Sequence, residues 1–429
     1  MCGRPLVKRY NQLDAFCGHP RCPSTQPNGP HEEIKASTVY HQAYIEKHPT
    51  LNNVPAFPFS WLPPPPTQLT TQELFKVFHA KKQKDPRPLW NGWYCRDCHR
   101  FNSRVFWDKL VCRVCGQVIA IKLPDLHFED LVGPTWLDLQ DSDTIGGVTV
   151  GCGVKHTILK STAEYITHAF DLFEGNAVYV IYPKKKAIYQ QGGFKDLFDR
   201  LWKAAQDGEI PLSRCNMESK KIPGQLTRWF GKNYGKEYKT RMVTETSTLD
   251  EAPAVITDIT THLSAIVEEV LGTPLEFNEV LTIGNYPKMA MSWHQDGEDK
   301  VGPVVASLSL GGPATMRFAL ANEFFTGKGR RYSYEILPGC LGEGKKRELL
   351  AQKESGLITP DEFLRQYRAV VDGLKPPCHP QKLLEFPLPG SGAVMIQKGA
   401  TLNKYYLHMV ENKGIARIVN TVRHLKDDV

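Results

Sequence analysis

The stretch MAMSWHQDGEDKVG, Met289 to Gly302, decides how the rest of the chain is read. It places His294 and Asp296 two residues apart, directly after an apolar run. On a β-strand, residues i and i+2 project from one face, so an imidazole and a carboxylate at this spacing can hold one metal ion at adjacent positions. An isolated H-x-D is equally a polar turn of an ordinary soluble protein. The decision therefore rests on the residues downstream. The segment KYYLHMVENKGIARIVNTVRHL (404–425) supplies His408 after an aromatic-rich run. Arg417 and Arg423 come next, six residues apart and on one strand face.

Two histidines and one carboxylate form the facial triad of a non-haem Fe(II) oxygenase, which leaves coordination positions open. Two of these suit the 2-oxo acid group of 2-oxoglutarate and one suits O2. A guanidinium matches the far carboxylate of 2-oxoglutarate bidentately. Each element alone is weak. The ordered set H-x-D, then H, then R-x5-R is much harder to obtain by chance.

The surrounding chain is compatible with that reading. It has 429 residues, 41% hydrophobic and 23% charged, which is ordinary for a soluble globular protein of two or three domains. No apolar run approaches the ~20 residues of a membrane helix. The N-terminus lacks the apolar core of a secretory signal. The expectation is an intracellular, nuclear protein, a monomer without membrane association. Its 11 cysteines then point to thiols or metal ligands. The net charge of +7 is mild and does not by itself require a nucleic-acid partner.

Residues 1–70 read as largely irregular and end in a polyproline linker, Pro63 to Pro66. A short amphipathic helix is expected after Thr70, with Leu74, Phe75, Val77 and Phe78 on its apolar side. Within 71–124, Cys95 and Cys98 form one C-x-x-C and Cys112 and Cys115 a second, with thirteen residues between the pairs. Two such pairs on tight turns make a closed four-cysteine site for structural Zn(II). This module is rich in arginine and aromatic residues. It suits either a grip on nucleic acid or a scaffold whose aromatics make its own small core.

From about residue 125 the texture is that of short strands and amphipathic helices. NAVYVIY (176–182), VVASLSL (304–310) and GAVMIQ (392–397) read as strands. Residues 192–210 and 252–272 read as helices. The fold class expected is α+β: a double-stranded β-helix, or jelly-roll, core with flanking helices, preceded by the zinc ribbon. The divisions are a 125–250 extension and a 251–429 core. The core carries a charged helical insertion near 323–380.

Four stretches together resemble the AlkB family of Fe(II)/2-oxoglutarate dioxygenases: NYPKMAMSWHQDGE, VVASLSLGGPATMRF, LPGSGAVMIQKGATLNKYYLHMV and ARIVNTVRHL. KMAMSWHQD is most similar to the FTO-type N6-methyladenine demethylase branch. The resemblance implies that His294, Asp296 and His408 bind iron and that Arg417 pairs with 2-oxoglutarate. Arg423 would lie near the 2-oxo acid end or the substrate pocket. Tyr286 and Asn285 would contact 2-oxoglutarate. Here Asn285 directly precedes Tyr286, where the family often has N-x-Y.

Family members hydroxylate an N-methyl group on a nucleobase and release formaldehyde, so DNA or RNA is the implied partner. Glu298 matches a family acidic residue that reads the flipped base, or is a solvated loop carboxylate. QLTRWFGKNYGKEY (225–238) resembles the family's nucleotide-recognition lid. There Arg228 would contact phosphates and Trp229, Phe230 or Tyr234 would stack on a base. The alternative is a basic hairpin whose aromatics pack inward. Other readings of the whole are repair of 1-methyladenine and 3-methylcytosine, a protein hydroxylase or demethylase, and a catalytically dead zinc-ribbon binding protein.

Overall fold

The computed structural model describes residues 101–122, 127–132, 146–217, 226–237, 242–243, 245–286, 289–296, 300–327, 336–374, 380–414 and 416–427, with short strands at 6–8, 15–17, 68–70 and 92–94. The polyproline run and the helix expected after Thr70 lie outside these residues, as do Cys95, Cys98 and Glu298. The chain forms two compact units. One takes 1–125, 205–230 and 239–244, and the other takes 126–204, 231–238 and 245–429. Among the described residues no helix is long and apolar enough to cross a membrane.

In the first unit, β1 (Gly92–Tyr94) pairs antiparallel with β2 (Phe101–Ser103), and β3 (Lys109–Val111) with β4 (Val118–Lys122). Cys112 to Cys115 form the tight link between β3 and β4. The Cys112 amide donates to the Gln117 carbonyl at 2.8 Å, and the Gly116 amide to the Cys112 carbonyl at 3.0 Å. Gly116 takes φ +77°, a backbone region that favours glycine. Trp107, Leu110, Cys112 and Ile119 are buried, and Trp107 meets Phe230 edge-on.

The remaining elements in chain order begin with β5 (Lys155–Ser161), β6 (Tyr165–Asp171) and β7 (Ala177–Pro183). Then come α1 (Phe194–Asp207), β8 (Phe230–Gly235), α2 (Ala254–Leu271), β9 (Glu279–Asn285), β10 (Ala290–His294), β11 (Val301–Gly311) and β12 (Ala314–Leu320). Two further helices, α3 (Glu343–Glu354) and α4 (Pro360–Gly373), precede β13 (Lys382–Leu388) and β14 (Ser391–Lys398). The chain ends with α5 (Leu402–Tyr405), β15 (Tyr406–Asn412) and β16 (Arg417–Leu425).

One sheet runs β8-β9-β16-β11-β14-β7-β6-β5, with a two-residue strand at 246–247 beyond β8. The other runs β10-β15-β12-β13, with a two-residue strand at 149–150 beyond β13. Counting the last eight strands from one to eight, the two sheets have the orders 1-8-3-6 and 2-7-4-5. That is the double Greek key of a jelly roll. β7 pairs with β14, β6 with β7 and β5 with β6, so these three strands extend the same sheet within the unit that takes 126–204, 231–238 and 245–429.

Between the sheets lies an apolar core that includes Phe170, Val178, Val180, Met316, Phe318, Phe386, Ala393 and Met395. α2 buries Val255, Ile256, Ile259, Leu263, Ile266 and Val267, the three-to-four spacing of one helix face, and stops at Gly272 in the left-handed region. The insertion between β12 and β13 is the helical hairpin α3–α4. It has a small core of its own from Leu349, Phe363, Tyr367 and Val371. Thr359 and Glu362 cap α4 reciprocally, with Pro360 at its first position.

Candidate metal centre

Strand register brings the two histidines together. His294 and His408 are direct partners across β10 and β15, and their ring centroids lie 4.1 Å apart. Asp296 lies past the end of β10, so the turn rather than the strand pleat orients it. The Asp296 carboxylate stands 3.6 Å from His294 Nε2 and 3.5 Å from His408 Nε2. One ligand atom from each residue falls within 4.8 Å of the others. Two ligands about 2.1 Å from an octahedral divalent ion sit ~3 Å apart, so a small contraction would close this trio around a metal.

The protonation states suit that role. His294 Nδ1 lies 2.7 Å from the Ser292 carbonyl, which accepts its N–H and turns Nε2 toward the cluster. Burial, reinforced by His294 and Arg423 against the pull of Asp296, drives His408 down to about 3. Burial pushes the Asp296 carboxyl up, but His408, Arg423 and His294 outweigh it and hold it below the usual carboxylate range. Neutral imidazole and ionised carboxylate are the metal-binding forms. The donor set fits iron.

Facing the trio is a polar strip on the larger sheet. Glu279 and Asn285 of β9 stand opposite Arg423 and Arg417 of β16, and Ser309 of β11 opposite Val419. Cross-strand partners share a face, and alternate residues repeat it, so all five polar side chains line one side. This is the side on which Ala393 and Met395 pack between the sheets.

Arg417 is only 4% exposed. Its Nε donates to Ser309 Oγ at 2.8 Å, and no acidic side chain among the described residues pairs with it. Burial lowers it to about 9, so it remains a cation at neutral pH. A buried cation is stable only when paired. The carboxylate of a bound dianion such as 2-oxoglutarate would supply the counter-charge, so the residues present fit that cosubstrate as well.

Arg423 sits where its charge reaches Asp296 and His408, on the iron side of the strip. Its Nη1 lies 3.3 Å from both oxygens of Glu279, which is wholly buried. With its amide in the orientation that satisfies its neighbours, Asn233 of β8 donates to the same carboxylate. Sequence reasoning missed Glu279, Asn233 and Ser309. Nothing local marks a carboxylate in FNEVLTIGN as buried, since its partner is 144 residues away.

Asn285 lies beside Arg417 in register. Tyr286 is buried, and its carbonyl accepts from Asn412 Nδ2 at 2.8 Å. In the stretch read as a lid, Arg228 is exposed. Trp229, Phe230 and Tyr234 are 6%, 0% and 2% exposed. All three rings are buried.

A model of the 2OG-Fe(II) oxygenase superfamily matches residues 197–416, just over half of the chain. The match includes both histidines and Asp296 and stops one residue before Arg417. The comparison with curated proteins returned no match. Among solved structures, one titled "The structure of OsALKBH1" aligns at 14% identity with a TM-score of 0.31, covering 57% of this chain and 97% of that one.

Proposed function

The chain belongs to the 2OG-Fe(II) oxygenase superfamily and is a dioxygenase, and on that premise we propose that it oxidatively demethylates N-methylated nucleobases in DNA or RNA, N6-methyladenine foremost, with release of formaldehyde. The observation that carries the oxygenase chemistry is the buried, anion-less Arg417 on the strip that faces His294, Asp296 and His408. Iron, 2-oxoglutarate and O2, when bound, supply the oxidising power that hydroxylates the methyl group. The protein supplies placement. His294, Asp296 and His408 would hold the metal. Arg417, helped by Ser309 and Asn285, would anchor the far carboxylate of the cosubstrate. Arg423, held by Glu279, keeps positive charge beside Asp296. The burial of these groups keeps bulk water from competing for the anion.

The nucleobase reading rests on the resemblance of KMAMSWHQD to the N6-methyladenine branch; the exposed Arg228 would contact phosphates. A base in a duplex must be flipped out to reach the metal, at a cost of a few kcal/mol that a single strand largely avoids. Glu298 would read the flipped base. Cys95, Cys98, Cys112 and Cys115 are assigned to one Zn(II). The tight turn at Cys112–Cys115 favours this, and metal analysis of a Cys112→Ser variant tests it. The partner is a nuclear polynucleotide rather than a free nucleoside.

The decisive experiment gives the protein Fe(II), 2-oxoglutarate and oligonucleotides carrying N6-methyladenine, 1-methyladenine or 3-methylcytosine, and follows products by mass spectrometry. Turnover of N6-methyladenine is expected. Preference for the other two bases would indicate alkylation repair. Turnover of a methylated peptide with none on any oligonucleotide would overturn the nucleobase reading.

A further inference from the structure

The iron-binding candidate Asp296 receives no support from a strand, yet its peptide is gripped on both sides. The Asp296 amide donates to Asn403 Oδ1 at 3.2 Å, and Asn403 Nδ2 donates back to the Asp296 carbonyl at 3.2 Å. This is the pairing one strand residue gives another, supplied here by one side chain 107 residues away. The amide can sit only one way round, because a swap would set donor against donor and acceptor against acceptor. Next to it, Gln295 Nε2 reaches the Lys404 carbonyl at 3.4 Å.

Asn403 is itself on a fixed mount. It lies in α5, whose flanks are tied to the turn at 172–176. Asn176 Nδ2 donates to Thr401 Oγ1 at 2.8 Å and to the Phe173 carbonyl at 2.6 Å. The Tyr405 hydroxyl donates to Glu174 Oε2 at 2.9 Å and accepts from Lys404 Nζ at 3.0 Å. Tyr405 is 1% exposed, and β15 begins at the next residue and carries His408 two positions on. One short helix thus fixes the peptide of one ligand and leads directly into the strand of another.

We propose that Asn403 is a positioning residue for the metal centre: by clamping the Asp296 peptide it aims the carboxylate at the ion before the ion arrives. The inference rests on the metal-centre reading above. Partners that orient a metal ligand typically change affinity 10–100-fold when removed, because the ligand must then be ordered at the moment of binding.

The test is Mn(II) affinity of the full chain, measured by calorimetry without turnover. Asn403→Ala should bind Mn(II) about 10–100-fold more weakly than the parent. Asn403→Leu keeps side-chain volume without either hydrogen bond and should show the same loss, should the alanine variant not be recovered folded. Thr359→Ala is the control. It loses the reciprocal cap of α4 in the helical insertion, so its melting temperature should fall while its Mn(II) affinity stays at the parent value. Equal affinity in the parent and both Asn403 variants would overturn the clamp and leave the metal site standing. So would an equal loss in Thr359→Ala, which would reduce the effect of Asn403 to general stability. A parent that binds no Mn(II) would overturn the metal-centre reading itself.

Discussion

Replacing Arg417 with methionine separates a structural arginine from an anion receptor, because the two roles predict opposite signs. Methionine has similar length and no charge. It forfeits the charge-assisted bond to Ser309, about 1.5–3 kcal/mol. It also removes a desolvated cation that has no acidic partner among the described residues, a burden of several kcal/mol. The second effect is the larger, so the ligand-free variant should melt no lower than the parent. The ligand response should vanish. With Mn(II) in place of iron to prevent turnover, 2-oxoglutarate at 100 times its Kd stabilises the parent by about 2.7 kcal/mol. At about 2–4 °C per kcal/mol this is a rise of roughly 5–11 °C. The variant should show none at that concentration. Differential scanning fluorimetry with and without 2-oxoglutarate reads both numbers. A ligand-free variant that melts well below the parent and keeps its ligand shift would refute the reasoning, since Arg417 would then be part of the scaffold.

His294→Ala should abolish turnover while leaving the melting temperature and oligonucleotide binding near parent values, because the side chain is partly exposed and lies at a strand end; gel-shift and product assays read this together. Glu279→Gln removes the buried carboxylate that faces Arg423 and should destabilise by about 3–5 kcal/mol in urea unfolding, with Glu279→Gln/Arg423→Met recovering much of the loss. Acid should weaken the fold at His168. Burial, and then neighbouring His156, pulls it from 6.5 to about 4 in the folded chain. Between those values the unfolded chain takes up a proton that the folded chain refuses, so stability is full above pH 6.5 and falls as pH drops toward 4. Urea midpoints across that window should fall more steeply for the parent than for His168→Phe.

Much of this architecture is legible in the sequence, and the parts that are not share a cause. His294, Asp296 and His408 stand out by type and order, and the even spacing of Arg417 and Arg423 already places them on one face. α2 and the hairpin α3–α4 follow from local periodicity and capping. Pairing across long separations leaves no local mark. β5 and β6 fall in the stretch read as an extension, and the pairing of β5 with β6 and of β6 with β7 joins them to the larger sheet. Glu279 looks like any strand carboxylate until Arg423 is seen opposite it. Composition identifies Trp229, Phe230 and Tyr234 as large rings but does not say which way they face. The structure brings Asp296 beside both histidines, although its i+2 spacing from His294 suggests a strand and the strand ends two residues earlier.

The added strands have a consequence for solubility. A jelly-roll sheet that stopped at β14 would present the unpaired backbone of an apolar strand, SGAVMIQK, to any passing chain. β7 covers that edge, and among the described residues the sheet ends at β5. β5 is exposed along nearly its whole length, and Lys155 and Lys160 bracket its apolar Ile158 and Leu159. Charged flanks of this kind resist edge-to-edge growth of sheets. The extension thus replaces the apolar border of β14 with one flanked by lysines.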